Sequence, residues 1–137
     1  MTSAAKLMVG IILLTVPTIQ YGGYFLLRSL SDPGSGYMTN PLRQNLFRAG
    51  HAHAGVLVIL SLICQLLVDQ AQLPTSIGWL VRAGVPLSAI LLPMGFFFSV
   101  LAPGATKPNR AIYLVYAGAI ALLASVVTLG VGVLEAV

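Results

Sequence analysis

Charge is what this sequence most lacks. Lys, Arg, Asp and Glu make up 7% of its 137 residues, against about 25% in soluble domains. Cysteine is nearly absent: Cys64 stands alone, which excludes an intramolecular disulfide and a Cys-rich metal site. No nucleophile sits beside a base, no two carboxylates are paired, and no Gly-rich phosphate loop joins a strand to a helix. Gly34-Ser35-Gly36 is turn chemistry only. An enzyme of the usual kind is therefore not expected. The net charge of +4 is modest; among so many apolar residues its role is to set membrane orientation, not to bind nucleic acid.

Apolar residues make up 58% of the chain, more than so small a soluble domain can bury. The seven basic and three acidic side chains all lie outside four runs, Leu7–Leu27, Ala49–Val68, Ala83–Thr106 and Ala111–Leu134. Each run is near or above the ~20 residues that a spanning helix needs. The expectation is an all-α, four-transmembrane-helix bundle in one domain, with spans at about 7–29, 42–70, 77–102 and 109–134. The first run exceeds the ~7–15 residues of a signal-peptide core and no small-x-small cleavage site follows it, so it reads as a retained span.

Pro17 should kink span one, where Gly22-Gly23 sits between Tyr21 and Tyr24. Asp32-Pro33-Gly34-Ser35-Gly36 supplies the first turn. Asn40 and Pro41 form a helix start, Thr75 or Ser76 is the expected cap of span three, and Trp79 is an interfacial anchor. Span three holds Pro86 and Pro93 on roughly one face. Span four carries Ala117-xxx-Ala121-xxx-Ser125, a small-residue stripe suited equally to packing within one bundle and to an oligomer interface. Loops one and three share a side and carry Arg28, Arg43, Arg48, Lys107 and Arg110, against Lys6 and Arg82 opposite. That asymmetry predicts a plasma-membrane protein with loops one and three cytoplasmic and both termini outside.

Span two is expected to be central. At 100° per residue Gln44, Arg48, His51, Gln65 and Asp69 fall within about 100° of one another, with Gly55 near the same line to make room for a helix or ligand. Such a polar stripe should face the bundle interior or a wet cavity. His51 and His53 point about 200° apart, so the pair does not chelate one metal on an unbroken helix. Opposite orientation suits two separate tasks.

The segment Arg48-Ala-Gly-His51-Ala-His53-Ala-Gly55-Val56-Leu57 resembles the His-x-His segments of the haem-copper oxidase subunit I superfamily, in which one helix ligates two haems on opposite faces. The resemblance implies that His51 and His53 are each a haem axial ligand and that Arg48 pairs with a haem propionate. The family's copper histidines and the separate partner ligand of its six-coordinate haem have no counterpart among the two histidines here. A second axial ligand would have to come from another protomer or from a methionine, Met94 being nearest by depth.

The functional expectation is a small integral membrane protein organised around an intramembrane Arg/His site, as an accessory subunit of a larger membrane complex or a homo-oligomer. Its alternatives are a haem- or metal-binding electron-transfer protein using His51 and His53, and a small proton-linked transporter. In the last, His51 and Asp69 stand about 27 Å apart along the helix, so waters or other groups must bridge them. Arg43 and Arg48 near the cytoplasmic interface also suit phosphate head groups, as a lipid-modifying enzyme would require.

Overall fold

Asn40 begins the second helix as the sequence suggests, accepting a hydrogen bond from the Arg43 backbone N–H at 3.2 Å with Pro41 in the first turn. A computed structural model describes the whole chain, Met1–Val137. Its elements are α1 (Ser3–Ser31), α2 (Pro41–Val68), α3 (Thr75–Ser99) and α4 (Tyr113–Leu134), with 3₁₀ turns at Pro33–Ser35 and before α4 at Arg110–Ile112. There are no strands. All four helices are long and apolar enough to cross a membrane; α2, with 28 residues, reaches about 42 Å.

Local chemistry sets the boundaries. The Thr2 hydroxyl caps α1 by accepting from the Ala5 N–H. Asp32 closes the first turn by accepting from the Gly34 N–H at 2.8 Å, and Gly36 takes the left-handed conformation (φ 64°) that glycine tolerates without strain. The cap expected from Thr75 or Ser76 does not form. Pro74 occupies the position before α3 and Thr75 is already helical, because proline's fixed φ suits the entry and leaves the hydroxyls no capping geometry. At the far end, Asn109 binds α3 to α4: its N–H donates to Ser99 O at 2.8 Å, its Nδ2 donates to Phe98 O at 2.9 Å, and its Oδ1 accepts from the Ala111 N–H.

The helices form an open bundle. α3 packs extensively on both α2 and α4, α1 packs mainly on α2, and α1 and α4 do not meet. The centre is thus α3 rather than α2 alone. The physical reason lies in small residues, which allow close approach where apolar burial gives no drive between helices. A Cβ built at Gly95 of α3 would stand 2.7 Å from the Val115 N, and one at Gly118 of α4 would stand 3.0 Å from the Leu92 N. Ser125, the end of the small-residue stripe, is buried against Gly84, whereas Ala117 is exposed. Part of that stripe therefore packs within the chain. On the other side of α3, Gly50 of α2 admits the Phe97 ring.

Candidate intramembrane histidine site

The end of the bundle that holds loops one and three is sealed. Phe47 stacks on Tyr37 at 5.9 Å between ring centroids and meets Phe97 at 5.1 Å and Phe25 at 5.6 Å. Over Phe47 lies the Arg43 guanidinium, 5.0 Å from the ring centroid. Arg43 is 6% exposed, so it is no head-group ligand. It donates from Nε to Val100 O at 3.2 Å, from Nη2 to Leu101 O at 3.3 Å and from Nη1 to Ser35 O at 2.8 Å. Those acceptors include carbonyls at the end of α3 that no helical N–H can satisfy. Gln44 does the same for loop one, donating to Tyr37 O and Met38 O, both at 3.0 Å.

Below this plug, α1, α2 and α3 wall a cavity of about 270 Å³ lined mainly by apolar side chains. His51 stands in its wall, with Gly22 of α1 beside it and Met94 and Phe97 contributed by α3. The imidazole lies against the glycine pair of α1. A Cβ at Gly22 would stand 3.5 Å from Nδ1, and one at Gly23 would stand 3.3 Å from Cε1. Gly22-Gly23 is therefore the seat of His51, a role that the sequence spacing did not reveal because it joins two helices. The histidine and Met94 line one cavity, as their depths suggested. No Lys, Arg, Asp or Glu lines it.

His53 faces elsewhere. It is exposed on the outside of α2, its ring 5.1 Å from Phe96 and its Nδ1 2.7 Å from Ala49 O. That carbonyl can only accept, so Nδ1 is the donor in this contact. Arg48 is exposed. A Cβ at Gly55 would meet nothing within 4 Å, so no other helix of the chain approaches it.

The remaining members of the polar stripe form a separate cluster at the opposite end, around Arg82. The Arg82 guanidinium donates to Asp69 Oδ1 at 2.5 Å and to Gln65 O at 3.2 Å, while Gln65 Nε2 donates to Arg82 O at 3.0 Å. Asp69, just past the end of α2, also accepts from the Thr2 N–H and hydroxyl, each at 2.8 Å. The Thr2 backbone N–H, then its hydroxyl and Arg82, hold the Asp69 carboxyl at about 2 against an opposing push from burial. Arg82 and Thr2 were not part of the stripe because they lie on other elements. Between the two ends the interior is mainly apolar, with Leu57, Val58 and Leu92, then Cys64, Val81 and Val85; the buried Ser61 and Ser88 hydroxyls donate to Leu57 O and Val85 O of their own helices.

The fold and its four apolar spans define a small, multi-pass integral membrane protein. No family model, curated protein or solved structure matches the chain.

Proposed function

We propose that the working site of this protein is the His51 cavity, and that the chain serves as a ligand-binding subunit, alone as a homo-oligomer or as an accessory member of a larger membrane complex. The observation that carries this reading is the combination of one half-buried histidine with an apolar cavity walled by three helices. Ligand sites are commonly apolar hollows with a few convergent polar groups, and an ionisable side chain within a span is costly unless it serves some purpose. Gln65 and Asp69 are engaged by Arg82, which supports a structural role for that half of the stripe and weakens the transport reading.

A haem- or metal-linked electron carrier is the second reading, and His53 supports it. Its Nδ1–H is engaged by a backbone carbonyl, the arrangement that leaves Nε2 free as a ligand. On the other face, His51 and Met94 line a common cavity, a His/Met pair of the kind that ligates haem iron. Bound there, such a group would supply one-electron chemistry. The orientation also gains support: Arg28, Arg48, Lys107 and Arg110 are exposed at the end formed by loops one and three, and Lys6 is exposed at the other. That balance favours loops one and three in the cytoplasm.

The test is gentle purification followed by two readouts on one sample. Organic extraction with mass spectrometry should recover a stoichiometric small molecule that is lost in the His51→Leu protein and kept in His53→Leu. An absorption spectrum, oxidised and then dithionite-reduced, distinguishes the second reading: a Soret band that shifts on reduction and needs His51 or His53 would establish haem. Retention of the same bound molecules by His51→Leu would overturn the cavity reading.

A further inference from the structure

We propose that the cavity is a quinone site, receiving the flat, uncharged ring of an isoprenoid quinone or quinol beside His51 and the start of its chain along α1. This inference rests on the reading of the cavity as the working site. Access comes first. The cluster of Phe25, Tyr37, Phe47 and Phe97 blocks the end toward loops one and three, whereas α1 and α3 scarcely touch. The rim between them is made by Ile11, Ile90 and Met94, which are 49%, 50% and 36% exposed. A ligand therefore enters sideways from the bilayer, not from water.

Charge and hydrogen bonding narrow the head group. With no charged side chain in the wall, a phosphate or ammonium head would be buried without a counter-charge, at high cost. The hydroxyls of Thr15, Thr18 and Ser61 donate to carbonyls of their own helices, which leaves the His51 ring as the free side-chain donor in the wall. Its two nitrogens provide a donor for a quinone carbonyl and an acceptor for a quinol hydroxyl. Pro93 has no N–H to close the helical bond to the carbonyl of Ala89, and both residues line the cavity.

Shape selects the ring and the chain. Phe97 and Met94, which share the wall with His51, offer the aromatic and thioether surfaces that pack well on a flat ring. From Gly22 back to Met8, α1 walls the cavity over roughly 20 Å at about 1.5 Å per residue. That length suits an extended apolar tail.

The test titrates the purified full chain in lipid nanodiscs with a decyl-substituted benzoquinone, read by calorimetry, with decanol and decyl phosphate as competitors. Saturable quinone binding is expected, weakened about tenfold by His51→Leu, as loss of one hydrogen bond implies, and abolished by Ile90→Trp at the rim. Gly22→Leu provides a second plug beside the imidazole if the tryptophan variant does not fold. Decanol should compete far more weakly than the quinone, and decyl phosphate not at all. If decanol binds as well as the quinone and both plugs remove both ligands, the ring preference is overturned while the cavity reading stands. Equal competition by decyl phosphate would overturn the uncharged-head assignment. Absence of any quinone or decanol binding that the plugs remove would overturn the quinone site and the cavity reading together.

Discussion

The side-chain amide of Gln65 donates to the backbone carbonyl of Arg82 at 3.0 Å, and that carbonyl is the one Pro86 leaves without its helical donor. Proline lacks the N–H that would close the i to i+4 bond, and inside a membrane a freed carbonyl needs a partner from a neighbouring helix. Arg82 returns the contact by donating to Gln65 O, one of the last carbonyls of α2. The carbonyl opposite a proline in one helix and a carbonyl in the last turn of another are thus satisfied by the same two residues.

Removal of Arg82 should be more harmful than removal of the whole cluster. Arg82→Met removes the ion-pair partner of Asp69, which keeps only its Thr2 donors, and leaves the Gln65 carbonyl without a donor, at a cost of about 2–4 kcal/mol. The double variant Asp69→Leu/Arg82→Met should cost less than Arg82→Met alone. Thermal unfolding in one detergent at fixed pH measures both.

Acid should loosen the same end. The Asp69 carboxyl is held below its ordinary 3.8, at about 2. A depressed folded-state value adds stability that is fully present above about 4 and is lost as pH falls toward 2. Melting temperature should therefore drop between about pH 5 and about pH 2. Asp69→Asn should start lower and show a flatter profile over that range.

Arg43 should behave as a structural residue. Arg43→Leu removes three hydrogen bonds to carbonyls of Val100, Leu101 and Ser35 and should destabilise by about 2–4 kcal/mol. Arg43→Lys keeps the charge but not the planar fork, so an intermediate loss is expected. Arg48→Leu, at an exposed position on the same helix, should change stability by less than about 0.5 kcal/mol. Denaturation in detergent, read by circular dichroism, compares the three.

Two glycines should respond oppositely to alanine. At Gly95 the new Cβ would meet the Val115 backbone N at 2.7 Å, whereas at Gly55 it meets nothing within 4 Å. Gly95→Ala should push α4 from α3 and cost about 1–3 kcal/mol. Gly55→Ala should be neutral or stabilising by up to about 1 kcal/mol, as expected inside a helix. The same melting assay reads both.

Sidedness is checked by thiol labelling. Lys107 and Glu135 are exposed at opposite ends of the bundle, and the native Cys64 is buried. Lys107→Cys should be shielded from an impermeant reagent in intact cells, and Glu135→Cys should react. The reverse pattern would invert the proposed orientation.

The number of spans and the helical class were legible from the sequence because the charged residues punctuate four apolar runs, and hydrocarbon admits only segments whose backbone satisfies itself. The Asn40-Pro41 start of α2 was legible because a cap is local chemistry. The opposite facing of His51 and His53 followed from helical geometry alone. What the sequence by itself could not decide was which partner meets each polar group. Gly22-Gly23 lies far from His51 along the chain, yet it seats the imidazole. Arg82 divides the stripe of α2 by claiming Gln65 and Asp69. Arg43 reads as an interfacial cation until the end of α3 arrives beneath it. Those outcomes depend on helix crossings, and in lipid the crossings are set by where small residues let backbones approach, Gly84 and Gly95 against α4 and Gly50 against Phe97. That is a relation between surfaces of different helices, and only the tertiary structure contains it.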